Sequence, residues 1–142
     1  MISINRLDHI GVRVSDFKYA ETFYRQFGFR VTRRDPEEGV VVLRHHSGLE
    51  LNLLDSASRQ HQAENVLMDI DIKWPGYTHI ALQVLDIAKA VNHLTGLGIA
   101  ITEGPVTFGD GKTSIFFRDP DRNVIELTQL PPAYNTAQEV NR

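Results

Sequence analysis

The sequence predicts an α+β protein made of two tandem βαβββ modules that together supply a curved, eight-stranded mixed sheet. Three observations predict it. First, Leu7–Thr32 (LDHIGVRVSDFKYAETFYRQFGFRVT) returns 70 positions later, without a gap, as Tyr77–Thr102 (YTHIALQVLDIAKAVNHLTGLGIAIT). His9, Ile10, Val14, Asp16, Ala20, Gly28 and Thr32 recur as His79, Ile80, Val84, Asp86, Ala90, Gly98 and Thr102. Second, each copy is followed by short apolar runs separated by turn-forming clusters, which read as strands. Third, each half carries a glutamate inside an apolar run, Glu50 in GLELNLL and Glu126 in NVIELTQL.

Taken in order, residues 6–14 alternate with period two. Leu7, His9, Gly11 and Arg13 lie on one side and Asp8, Ile10, Val12 and Val14 on the other. Asp16 is the N-cap of the helix that follows, because its carboxylate can accept orphan N–H groups. Phe17, Ala20, Phe23, Tyr24 and Phe27 fall at helical spacing and form its core face. Gly28 stops the helix in a left-handed conformation. Strands are expected over Arg30–Asp35, Val40–Arg44 and Leu49–Leu54, with turns at Pro36–Gly39 and His46–Gly48. The polar stretch Asp55–Gly76 is longer than most connections in compact domains and reads as a linker with an ordered patch at Val66–Ile72, available as a lid.

The second module repeats the order: a strand over Tyr77–Val84, a helix from Asp86 to about Leu97, and strands over Ile99–Thr102, Thr113–Arg118 and Val124–Gln129. Residues 1–130 are thus expected as one domain of two modules, 6–55 and 77–130, joined by residues 56–76. Pro131-Pro132 ends the fold and residues 131–142 form a flexible tail. Gly111-Lys112-Thr113 resembles the end of a phosphate loop, but Val106 stands where the first glycine belongs and a strand follows instead of a helix.

Composition narrows the function. A formal charge of −3, with no Lys/Arg cluster, gives no field to gather nucleic acid or an anionic membrane. Cysteine is absent, which removes disulfides, thiolate nucleophiles and sulfur ligands. The start, MISINRLDH, has no long apolar stretch and no run reaches membrane-spanning length. The expectation is a cytoplasmic enzyme or binding protein with a small-molecule partner.

Alternation places Gly11 and Arg13 beside His9, Ala81 and Gln83 beside His79, Asn52 and Leu54 beside Glu50, and Val124 and Thr128 beside Glu126. Unpartnered polar groups are costly to bury, so a polar row on otherwise apolar strands lines a wet cavity or a ligand. Two imidazoles and two carboxylates suit one divalent metal such as Zn, Ni, Co, Mn or Fe(II). The expected metal ligands are therefore His9, Glu50, His79 and Glu126. Taken singly, a strand histidine is usually a satisfied core or edge residue and a strand glutamate usually faces solvent. The repetition of the pair in both halves shifts the balance to a site.

HIGVRVSD and HIALQVLD, the aromatic FYRQFGF, the DPDRNVIEL close and the tandem plan resemble the vicinal-oxygen-chelate superfamily over about Leu7–Leu130. That superfamily includes glyoxalase I, extradiol dioxygenases and bleomycin-binding proteins. The four ligands resemble the set of glyoxalase I, and Arg13 stands where that enzyme holds an arginine for glutathione carboxylate. Leu54 replaces an asparagine of the glutathione site, and DRNVIE departs from the usual DGYKIE-type close. Glutathione is thus a co-substrate suggested by one residue and opposed by two motifs.

The resemblance implies a metal-dependent lyase or isomerase acting through an enediolate. Glu126 or Glu50 would move the proton, Arg13 would pair with a substrate carboxylate, and Asn52, Gln83 and Thr128 would orient it. The alternatives are an Fe(II) extradiol-type dioxygenase, which needs two histidines and one carboxylate, and a resistance protein that sequesters a small molecule. A homodimer is the expected assembly.

Overall fold

The structure, a computed structural model, describes residues 1–58 and 64–132. The expected tail, from residue 133 onward, and residues 59–63 of the expected linker lie outside the described residues. The chain divides into two compact units, Met1–Glu64 and Asn65–Arg142, each an α+β module with a four-stranded mixed sheet.

The first unit runs β1 (Ile10–Arg13), α1 (Phe17–Arg25), β2 (Arg30–Asp35), β3 (Val40–Arg44) and β4 (Glu50–Leu54). Its strand order is β1-β4-β3-β2, with β1 parallel to β4 and the other pairs antiparallel. The helix starts where the sequence places it, since Asp16 Oδ1 accepts from the backbone N–H groups of Lys18 at 2.7 Å and Tyr19 at 3.3 Å. It ends at Arg25, and the turn that follows closes at Gly28, whose φ of +85° lets the chain reverse. Ala20 and Tyr24 of α1 are buried with Phe29, Val14, Leu43, Leu51 and Leu53. Each such aliphatic or aromatic side chain contributes on the order of 1.5–3 kcal/mol by leaving water. Leu51 and Leu53 are sealed while Glu50, Asn52 and Leu54 are only part-buried, so period two sorts β4 into a core face and a second, polar-bearing face. Phe17, Phe23 and Phe27 are only partly buried, making the helix's sealed stripe narrower than its apolar spacing predicts.

The second unit runs β5 (His79–Gln83), α2 (Ile87–Gly96), β6 (Ile101–Thr107), β7 (Thr113–Arg118) and β8 (Val124–Gln129), in the order β5-β8-β7-β6. Asp86 caps α2 by accepting from Lys89 N at 2.9 Å. Leu94, Ile115, Phe117, Ile125 and Leu127 are buried in this unit.

Four strands differ in their bounds from the sequence expectation, β4 only by starting at Glu50 in place of Leu49. β1 and β5 begin at Ile10 and His79, so both histidines stand at the entrance of a strand. β6 runs on through Gly104-Pro105. It is an edge strand with register shifts, the setting in which a proline's missing N–H does no harm. Gly104 has φ +92°, and a Cβ there would sit 2.5 Å from the Ser114 carbonyl oxygen, so only glycine lets β6 lie this close to β7.

The described part of the expected linker, from Asn65 on, belongs to the second unit. Asp69 clamps it down. Its carboxylate accepts from Arg118 Nη2 at 2.9 Å, Arg122 Nε at 2.8 Å and the Asn65 backbone N–H at 2.7 Å. These bonds hold the Asp69 carboxyl at a pKa of about 2; the Arg122 bond has the largest effect and outweighs the opposing effect of burial.

Candidate functional site

The second module builds a connected polar group. His79 opens β5, and Glu126 lies on the neighbouring strand β8, opposite Ala81. Nε2 of His79 is 3.1 Å from Oε2 of Glu126. The other carboxylate oxygen, Oε1, accepts from Ser114 Oγ on β7 at 2.6 Å. Ser114 has no solvent exposure, and the Glu126 side chain retains 13%. Phe116, opposite Glu126 in the β7–β8 register, sets its ring edge-to-face against His79 with centroids 5.9 Å apart. Thr78 Oγ1 bonds His79 Nδ1 at 2.9 Å.

The first module is arranged differently. His9 Nδ1 is bonded to Asp8 Oδ1 at 2.8 Å. That bond and the imidazole's charge hold the Asp8 carboxyl below its ordinary range. Glu50 does not join His9: Arg44 Nε donates to its Oε2 at 2.6 Å, and no ion pair links it to His9 among the described residues. Asn52 stands opposite Gly11, and its Oδ1 is buried without a hydrogen-bond partner among the described residues. Arg13 Nε donates to Ser56 Oγ at 3.1 Å. In the second module, Gln83 is exposed opposite Thr128, whose Oγ1 is also buried without a partner among the described residues.

The structure therefore brings His79 and Glu126 together, leaves Glu50 on an arginine, and puts Asn52 and Thr128 on their strands with unused acceptors. Among the described residues no three His, Asp or Glu side chains gather into a metal shell. The His79–Glu126 pair nonetheless suits one. Donors bound to the same cation at about 2.0–2.2 Å in tetrahedral or octahedral geometry stand roughly 3 Å or a little more apart, and this pair stands 3.1 Å apart. Both imidazoles bond through Nδ1 to the preceding side chain, Asp8 or Thr78, the kind of bond that outer partners make to metal-bound histidines. Asp8, Thr78 and Ser114 are the site residues that sequence reasoning missed. The dipeptides Asp8-His9 and Thr78-His79 were the available signal for the first two.

The sequence has clear relatives. Residues 6–127 match the Glyoxalase/Bleomycin resistance protein/Dioxygenase superfamily. A virulence protein of Salmonella typhimurium is 32% identical, over 89% of this chain and 85% of its own. Its crystal structure superposes with a TM-score of 0.64, covering 91% of this chain and 99% of that one. A glyoxalase domain-containing protein of Mycosarcoma maydis is 30% identical, over 93% of this chain and 72% of its own. At 21% identity, the lactoylglutathione lyase of Agrobacterium tumefaciens shares the fold, with a TM-score of 0.65 over 89% of this chain and 94% of that one. Among the described residues no helix is long and apolar enough to cross a membrane.

Proposed function

Since the chain belongs to the Glyoxalase/Bleomycin resistance protein/Dioxygenase superfamily, we propose that it is a divalent-metal-dependent lyase or isomerase acting on a small substrate with two adjacent oxygens. The observation that carries this reading is the Ser114–Glu126–His79 chain, in which one carboxylate is fixed on both sides beside an imidazole. In the second module His79 and Glu126 would hold the metal. A Zn, Ni, Co, Mn or Fe(II) ion so bound would polarise the substrate oxygens and stabilise the enediolate left by proton removal.

Glu126 accepts the substrate proton and returns it to the adjacent carbon. Ser114 keeps Oε1 occupied, so the proton moves at Oε2. Arg13 pairs with a substrate carboxylate, and Gln83 and Thr128 orient the substrate through an amide and a hydroxyl. The part-buried setting of Glu126 limits the water that competes for its proton. A homodimer in solution belongs to the same reading.

The test is solvent deuterium exchange into α-hydroxy- and α-ketoaldehydes, with and without glutathione, by metal-loaded protein. Exchange should be metal-dependent and should fall about 10²- to 10⁴-fold in Glu126→Gln, the usual cost of losing a positioned acid–base group. Unchanged exchange in that variant would refute the assignment. One observation favours a second reading, an Fe(II) dioxygenase. With Glu50 engaged by Arg44, Glu126 is the only one of the two expected carboxylate ligands paired with a histidine among the described residues, which favours a centre with a single carboxylate. Fe(II)-dependent oxygen uptake with catechols, without deuterium exchange, would select it.

A further inference from the structure

The segment that runs into β5 is fastened to the sheet face that carries His79. Residues opposite one another on neighbouring strands share a face. His79 stands opposite Val124, and Val124 stands opposite Arg118. The next row holds Ala81, Glu126 and Phe116. Arg118 therefore lies on the His79–Glu126 face, two strand spacings or roughly 10 Å from His79. The other face carries Ile115, Phe117, Ile125 and Leu127, all buried.

Asp69 ties residues 65–76 to that row through Arg118 and Arg122. The tie is reinforced at the Arg122 carbonyl, which accepts from Asn65 Nδ2 at 3.1 Å and from Arg118 Nη1 at 2.8 Å. Arg122 presents that carbonyl with φ +63°, a left-handed conformation uncommon for a long side chain. The segment is also closed on itself. The Met68 and Asp69 N–H groups donate to the Asn65 carbonyl at 3.1 and 2.8 Å. Lys73 Nζ donates to the Met68 and Ile70 carbonyls at 2.9 and 2.6 Å. A Cβ on Gly76 would lie 3.0 Å from Leu67 Cδ1, so the end of the segment rests on its beginning.

What this fastens is the approach to His79. Asp71–Thr78 are exposed throughout, so burial does little to hold them. Only Tyr77 and Thr78 separate Gly76 from His79, and Thr78 Oγ1 is the partner of His79 Nδ1 at 2.9 Å. That hydroxyl is set by β5 on one side and by the anchored segment on the other. The first module is built differently. Glu50 stands opposite Arg44 as Val124 stands opposite Arg118, and Arg44 takes its carboxylate from Glu50 on the adjacent strand. Met1–Leu7, which lead into His9, are exposed. The fastened approach belongs to the module that holds the imidazole–carboxylate pair.

We propose that Asp69 is a positioning residue: by latching residues 65–76 onto Arg118 and Arg122 it holds the Thr78 hydroxyl on His79 Nδ1, and so orients the imidazole beside Glu126. Asp69 acts through the backbone from Gly76 to His79, not by contact with metal or substrate. This deepens the metal-dependent reading above and rests on it.

The experiment is Mn(II) titration of the purified full chain, followed by the electron-spin-resonance signal of free Mn(II), well below the melting temperature of every variant. Thr78→Val should weaken binding about tenfold, the lower end of the usual effect of losing an outer partner. Asp69→Asn should weaken it several-fold. The combined variant should bind no more weakly than Thr78→Val alone, although it melts lower, because both changes act on one contact. Wild-type affinity in Asp69→Asn or in Thr78→Val would overturn the assignment, and so would losses that multiply in the combined variant. Should Asp69→Asn fail to fold, Arg122→Asn carries the same expectation and the same refutation, since asparagine tolerates the left-handed turn. His79→Ala separates the two levels. If it abolishes binding while Asp69→Asn binds normally, only the Asp69 assignment fails; if it binds normally, the metal reading fails and the assignment with it.

Discussion

The Ser114 hydroxyl donates to the Glu126 carboxylate at 2.6 Å from a side chain with no exposure to water. A hydrogen bond to a charged acceptor is about twice as strong as a neutral one, and this one fixes which oxygen of Glu126 faces His79. Ser114→Ala should cost about 1–3 kcal/mol of stability, the usual cost of leaving a buried acceptor unsatisfied. It should also weaken Mn(II) binding several-fold, because the carboxylate is then free to rotate. Denaturant melts and metal titration check the two effects separately, and a stability loss with unchanged metal affinity would reduce Ser114 to a packing role.

Asp69 makes the acid stability of the second module predictable. Its carboxyl titrates at about 2 in the folded chain against an ordinary value of 3.8. The folded pKa lies below the unfolded one, so the stabilisation is fully present above the unfolded value. It is lost as pH falls from near 4 toward 2. Asp69→Asn should lower stability by roughly 2–3 kcal/mol at neutral pH, since it removes the charged acceptor that Arg118 and Arg122 share. Wild-type and variant melts, compared by circular dichroism, should converge as pH approaches 2. A gap that persists undiminished there would show that charge is not what the clamp uses.

Glu50 and Arg44 should behave as a coupled pair. Glu50→Gln alone is expected to cost about 1 kcal/mol, in keeping with a pair whose arginine is largely exposed and whose glutamate keeps 16% exposure. In the background of Arg44→Met the same change should cost almost nothing. Additive losses in this cycle would mean that Glu50 stabilises the fold through some other partner.

Much of this fold was legible. The bounds of β2, β3, β7 and β8 are the ones read from alternation and turn residues, and both helices start on the aspartates that cap them. These features are local, encoded within a few residues. The lateral register was not legible, because it depends on how many residues the intervening turns absorb. The ungapped repeat ends at Thr32 and Thr102, and beyond it the second module pairs β5 with β8 across four more residues than the first pairs β1 with β4. Aligning Glu50 with Glu126 by their shared GLE and VIE surroundings requires six more. The two residues left over are a slip along β4, invisible until the strands pair. Ser114 and Asp69 escaped notice for a related reason: each partner is supplied by a different strand or segment, 12 and 49 residues away.

A pleated strand returns to the same face at every second residue, so a two-residue slip has a consequence for how this protein can change. Along β4, positions 50, 52 and 54 share the polar-bearing face, while Leu51 and Leu53 remain sealed in the core. A carboxylate can migrate from one such position to the next by point mutation without a single core side chain being repacked. Duplicated modules of this kind can therefore acquire or shed anionic charge in quanta of two residues, while the hydrophobic face that makes them fold is inherited intact.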